Sequence, residues 1–242
     1  MAPSKTGIPK DAIKNIVLVH GAFADGSGWE AVFNLLAPLG YNLTIAQHPC
    51  TSMEDDVAVV NRALDRQDGP AILVGHSYGG AIITEVGVSS GVAGLVYVAA
   101  FQPEIGESAL NQAMSAPDLS NGGILPPDAK GFIYFDPAKY HAGFCADLPA
   151  AKAAFMAASQ IPVKAMAFGA RMSAAAWKTK PCWAVIPTED KSINPVIHHA
   201  NHKRSNSTVT EIKGASHVVF ISHPQVVADV IKAAAVGALQ LA

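Results

Sequence analysis

Gly75-His76-Ser77-Tyr78-Gly79 has the form G-x-S-x-G, a pattern that means little alone and a good deal in its setting. It lies between the apolar run Ala71-Ile72-Leu73-Val74 and an apolar segment from Ala81 to about Ser89. A strand that passes straight into a helix through small residues forces the central serine into a strained turn. Its hydroxyl is lifted above the sheet edge, at a helix N-terminus whose dipole favours developing negative charge. The chemistry this serves is nucleophilic attack by Ser77 on an acyl carbon. A serine hydroxyl is too weakly acidic to attack an ester unaided, so a base must lie within hydrogen-bond reach and a third group must orient that base.

Nine histidines compete for the role of base. His217, in Gly214-Ala215-Ser216-His217, follows the last strand-like run by a few residues, where the chain returns to the carboxyl edge of the sheet. His20 and His76 flank glycine turns and are expected to structure them; His48, His141 and His223 fall in loops with no matching acid nearby in the pattern. Asp190, in Thr188-Glu189-Asp190, supplies the acid in the chain order Ser, Asp, His, with Glu189 and, more remotely, Glu104 as alternatives. Two backbone amides must face the oxyanion. Tyr78, directly after the nucleophile, gives one, and Ala22, in the loop His20-Gly21-Ala22-Phe23, gives the other. His198 and His202 have the spacing of a zinc pair, but no glutamate intervenes and no third ligand is evident. They are expected on a solvated helix face, and neither a metal nor a cofactor is expected.

The elements that must position these residues alternate. Asn15 to His20 reads as a strand buried on both faces, and Trp29, Val32, Phe33, Leu36 and Leu39 recur at helical intervals before Gly40. Leu43 to Ala46 is a second strand. Met53 to Arg66 is a second helix, opened by Ser52 and three acidic residues where unpaired amides need them. Strands follow at Ala71 to Val74 and Leu95 to Ala99, then at Trp183 to Ile186 and Thr208 to Ile212, with helices around Pro195 to Asn201 and from Pro224 to about Leu239. Such alternation predicts a mainly parallel sheet of about six strands flanked by helices. Between 101 and 180 the rhythm breaks into Pro, Gly and aromatics, with alanine-rich, helix-like pieces near 149–159 and 163–176. A long excursion without strands reads as an inserted helical lid, so that 1–100 and 181–242 form the core and 101–180 the lid of one domain.

Half of the 242 residues are hydrophobic and 15% are charged, which suits elements buried on at least one face and argues against disorder. A formal charge of -2, with Lys and Arg scattered, offers no field to concentrate phosphates, so nucleic-acid binding is not expected. Three widely spaced cysteines suggest neither a disulfide framework nor a zinc ribbon, and a reducing, cytoplasmic setting fits best. No stretch reaches the roughly 18 apolar residues that span a bilayer, and no apolar run precedes Ile16, so neither a membrane span nor export is expected. A homodimer is left open.

In order and spacing, four stretches resemble the α/β-hydrolase superfamily: Val17-Leu18-Val19-His20-Gly21-Ala22, Val74-Gly75-His76-Ser77-Tyr78-Gly79-Gly80, Thr188-Glu189-Asp190-Lys191 and Ile212-Lys213-Gly214-Ala215-Ser216-His217. More narrowly the chain is similar to the branch of plant methylesterases, hydroxynitrile lyases and related bacterial esterase-like hydrolases. The resemblance implies the α/β-hydrolase fold and a Ser77, His217, Asp190 triad acting on a small-molecule ester without a cofactor. The aromatic lid implies a modest, fairly apolar substrate, with Gly21, Phe23, Phe101, Phe132, Tyr134, Trp177 and Val218 as candidate pocket residues. Lyases of this branch carry a threonine at the position of Gly21 and a lysine at that of Val218, so both departures favour hydrolysis. A haloalkane dehalogenase would need an aspartate in place of Ser77. The alternatives are a cofactor-free lyase and a non-catalytic ligand-binding receptor on the same scaffold.

Overall fold

The computed structural model describes residues 7–240. Its first half alternates β1 (Asn15–Val19), α1 (Glu30–Leu36), β2 (Asn42–Ala46), α2 (Met53–Leu64), β3 (Ala71–His76), α3 (Gly79–Val86) and β4 (Val92–Val98). The middle carries α4 (Ala109–Ala113), β5 (Phe132–Ile133), α5 (Pro137–Phe144), α6 (Ala150–Ala158), β6 (Val163–Lys164) and α7 (Ala165–Phe168). Regular alternation resumes with β7 (Cys182–Pro187), α8 (Pro195–Ser205), β8 (Thr208–Ile212), α9 (Val219–Ser222) and α10 (Pro224–Gln240).

Six strands form one sheet in the order β2-β1-β3-β4-β7-β8, and every neighbouring pair is parallel. Helices cover both faces of its centre, which is why β1 and β3 are buried at every position while the edge strands β2 and β8 are exposed or half-buried up to a last, buried residue. From β1 the chain steps outward to β2 and then returns to β3 on the other side of β1. That reversal opens a crevice at the carboxyl ends of β1 and β3, the place where open parallel sheets bind ligands. Pairing of Val19 with Gly75, His76 with Val98, and Pro187 with Ile212 brings the loops after β1, β3, β7 and β8 to one rim.

The segment 101–180 departs from its expected purely helical character. Phe132 pairs with Lys164 and Ile133 with Val163 in a small antiparallel sheet, extended by a bridge from Ile124 to Phe135. Strands of two residues carry no periodicity, and their partners lie about thirty positions apart, so no local pattern announces them. The alanine-rich 163–176 stretch is helical only over α7, which stops at Gly169. Helices α4 and α5 were not anticipated, although each opens on a readable cap: Ser108 in a reciprocal box with Asn111, and Asp136 before Pro137. Among the described residues no helix is long and apolar enough to cross a membrane.

Candidate active site

Ser77 stands between the end of β3 and the start of α3 with φ +53, the left-handed conformation a non-glycine residue adopts only under constraint. Its amide donates to Val98 O at 3.3 Å, and its carbonyl accepts from the amides of Gly80 at 2.9 Å and Phe101 at 3.1 Å. A Cβ at position 75 would lie 2.6 Å from the Gly79 carbonyl oxygen, so the glycine is what lets the strand turn so sharply into the helix.

His217 Nδ1 lies 2.8 Å from Asp190 Oδ2, and both side chains are buried. An ionised carboxylate can only accept, so Nδ1 carries the proton, and in the neutral imidazole Nε2 is the nitrogen that keeps the lone pair. That Nε2 is buried and makes no hydrogen bond, to the Ser77 hydroxyl or to any other described group. The imidazole packs against the residue that precedes Ser77: His76 Nε2 is 3.1 Å from His217 O, and the two rings are 4.7 Å apart. Asp190 Oδ1 accepts from the amides of Ser192 and Ile193 at 2.8 and 2.9 Å. Burial alone would push this carboxyl up, but the adjoining imidazoles of His217 and His198 outweigh it and hold Asp190 well below the usual carboxylate range.

The amides of Ala22 and Tyr78 have no hydrogen-bond partner among the described residues, whereas the next amide along, Phe23 N, is spent on Ile161 O at 2.8 Å. A buried network supports both loops. His48 Nε2 donates to His20 O at 3.0 Å, His48 Nδ1 faces Asp56 Oδ1 at 3.3 Å, and the Tyr78 hydroxyl donates to Asp56 Oδ2 at 2.9 Å. His48 therefore does have an acid beside it, eight residues on in α2. The expectation that it lacks one fails because a loop and the first turn of a helix fold back on each other. His20, His48 and Cys50 bring ligand atoms within 4.8 Å of one another. Their geometry as it stands does not suit a shared ion: the imidazoles stack 3.8 Å apart at 8°, and no one point lies in both ring planes at bonding distance.

The profile of the alpha/beta hydrolase family matches residues 16–230. The chain belongs to that family. A carbendazim hydrolyzing esterase of Nocardioides sp. is 32% identical over 108 residues, which are 39% of this chain and 45% of that protein. Matches to such relatives span between 36% and 59% of the relatives' own length. A pyrethroid hydrolase from Sphingobium faniae superposes with a TM-score of 0.77 at 22% identity, covering 92% of this chain and 97% of the other. Polyneuridine aldehyde esterase superposes at 0.77 with 17% identity, over 90% and 98% respectively. These superpositions bear on the fold.

Within this alpha/beta hydrolase the residues singled out from sequence divide into two groups. Gly21, Phe101 and Val218 are gathered with Ser77 and His217: a Cβ on Gly21 would lie 2.6 Å from Ser77 Cβ, Phe101 N bonds Ser77 O, and Val218 follows the histidine into α9, while Phe23 reaches this group through Phe144, whose ring lies against His217. Phe132 sits in β5 beneath Lys164, Tyr134 is exposed, and Trp177 donates to Pro103 O at 2.9 Å under the guanidinium of Arg204. None of these three is shown touching the Ser77 loop. Glu189 is exposed, and Glu104 pairs with Lys178 at 2.8 Å instead of a histidine. Among residues not anticipated, Phe144 meets the His217 ring in an edge-to-face arrangement with ring centres 5.0 Å apart, and Asp147 accepts from the amide of Ser216 at 2.9 Å and from its hydroxyl. His198 and His202 are buried, not on a solvated helix face.

Proposed function

We propose that the protein is a serine hydrolase cleaving carboxylic esters of small, fairly apolar substrates through an acyl-enzyme. His217 Nε2 takes the Ser77 proton as the oxygen attacks the acyl carbon, and the Ala22 and Tyr78 amides receive the oxyanion. The carbon–alkoxy bond then breaks and the imidazolium protonates the departing alcohol. Water, deprotonated by the same imidazole, attacks the acyl carbon, and the acid leaves with the proton restored to Ser77. The observation that carries the reading is the buried His217–Asp190 pair, whose remaining nitrogen is an unused lone pair beside a strained serine turn.

Residues 101–180 act as the lid. Support comes from Phe144 against His217, from Tyr140, whose hydroxyl donates to Phe23 O at 2.7 Å, and from the Phe23 amide held by Ile161 O. The aromatic faces of Phe23, Phe101, Phe144 and Phe168 favour apolar acyl or alcohol groups. The relatives named for pyrethroid and carbendazim hydrolysis agree with that class of chemistry. A lyase-like threonine at position 21 has no room beside Ser77 Cβ, which favours hydrolysis over the lyase alternative.

Ser77→Ala is expected to abolish turnover of short p-nitrophenyl esters, and a fluorophosphonate probe is expected to label Ser77 in the unaltered protein. Wild-type turnover in the variant would overturn the proposal. Absence of labelling would favour a ligand receptor.

A further inference from the structure

The histidine pair on α8 has a use that zinc spacing does not describe. Asp190 Oδ2 faces two imidazoles, His217 Nδ1 at 2.8 Å and His198 Nε2 at 3.0 Å, and all three side chains are buried. Orienting one histidine requires one acceptor oxygen, and Oδ1 is already taken by two amides. A second imidazole on Oδ2 therefore divides the same lone-pair density. By the same rule that fixed the His217 tautomer, His198 carries its proton on Nε2, and its Nδ1 is buried with no hydrogen-bond partner among the described residues. A neutral His198 leaves one negative charge in the group at rest. During turnover that charge meets a single imidazolium, His217. Two imidazoliums on one buried carboxylate would leave an uncompensated positive charge.

We propose that His198 is a positioning residue for the ester-hydrolase reaction proposed above. It holds the Asp190 carboxylate in line with His217, and by drawing on the same oxygen it moderates the carboxylate's pull on the His217 imidazolium. The imidazolium can then give its proton to the departing alcohol. The other groups facing this assembly are His76 from β3, its ring tilted at 51° against that of His217; Asp147 from the α5–α6 loop, bound to Ser216; and His199 and His202 from α8 itself, with Tyr97 of β4 against His202. His76 and His202 are both held neutral chiefly by burial, and Asp147 is held ionised against its own burial by the Ser216 hydroxyl and amide. None of these groups touches Asp190 Oδ2.

Two variants separate positioning from packing. His198→Leu removes the donor at similar volume, and His198→Gln keeps a neutral donor. With p-nitrophenyl acetate, the acid limb of the kcat/KM profile of His198→Leu is expected to move to higher pH by about one unit, the worth of one hydrogen bond to a carboxylate. His198→Gln is expected to keep the limb near its original place. Loss of kcat or stability in His198→Leu with an unmoved limb, or an equal shift in both variants, would overturn the proposal. Proton NMR of the His217 Nδ1–H supplies a readout that needs no turnover: the resonance should move downfield in His198→Leu and stay in place in His198→Gln. If esters are not cleaved and Ser77 is not labelled, the hydrolase reading fails while this resonance still tests the link from His198 to Asp190. If His198→Leu does not fold, nitrogen-15 shifts of the unaltered protein decide. A bare Nδ1 and a protonated Nε2 on His198 are required, and the opposite tautomer overturns the proposal.

Discussion

The Tyr78 hydroxyl donates to Asp56 Oδ2 inside the protein, 22 residues back along the chain, and ties the residue after Ser77 to the first turn of α2. The other oxygen of Asp56 faces His48, whose far nitrogen holds the carbonyl of His20. One buried carboxylate thus reaches both of the loops proposed to supply the oxyanion amides, the Tyr78 loop directly and the Ala22 loop through an imidazole. Its third tie, from the Cys50 amide at 2.8 Å, fixes the carboxylate in place.

Asp56→Asn should therefore act on the transition state more than on substrate binding. One oxyanion donor is worth roughly 3 kcal/mol, and loosening two without removing either should lower kcat about 10- to 100-fold with KM changed little. A boronic-acid inhibitor should lose affinity by the same factor, because it reproduces the tetrahedral state. A variant with raised KM and unchanged kcat would place Asp56 in substrate binding instead. Circular dichroism and thermal melting must accompany the kinetics, since a buried carboxylate also supports the fold.

Most of the sheet was legible because its strands are short β-branched runs punctuated by Gly and Pro, and the rim residues follow those runs at once. Ser77 was marked by the G-x-S-x-G motif in its setting and His217 by its place after the last strand, while chain order suggested Asp190 with Glu189 still an alternative. The supporting shell could not be placed this way. His48, Asp56, Phe144, Asp147 and His198 touch the site from loops and helices whose side chains meet only after folding, and a single sequence carries no signal of such long-range pairs. His198 illustrates the difficulty: its four-residue spacing to His202 reads as an exposed helix face or a metal pair. Only the packing of α8 beneath the loop after β7 turns it toward Asp190.

Acid should destabilise the protein through histidines kept neutral by burial. His20 is lowered from 6.5 to about 3, by burial and then by the neighbouring His48. His202 is lowered to about 3, by burial and then by His198 and His199. The unfolded chain binds these protons below its ordinary 6.5 while the folded chain does not. Stability is therefore full above that value and falls as pH drops from 6.5 toward about 3. Each histidine contributes a slope of about 1.4 kcal/mol per pH unit across that window. Denaturant unfolding measured at intervals from neutral pH to about pH 5 gives the slope directly. His202→Gln should flatten it by one histidine's share, and an undiminished slope would show that His202 is protonated in the folded protein.

Asp190→Asn tests the acid where geometry makes a sharp demand. The amides of Ser192 and Ile193 both need an acceptor at Oδ1, so the asparagine oxygen must occupy that place and its NH2 must occupy the other. Donor then faces donor at His217 Nδ1 and at His198 Nε2, and each imidazole can relieve the conflict only by moving its proton to its far nitrogen. For His217 that tautomer presents an N–H to Ser77, where the reaction needs a lone pair. On this basis kcat should fall about 10³- to 10⁴-fold, a drop of the size expected when a triad histidine is held in the wrong tautomer. Turnover within tenfold of the unaltered protein would mean that another group orients His217. Exposed Glu189 is the nearest acid in sequence to fill that role, and Glu189→Gln in the same background would then remove the remaining activity.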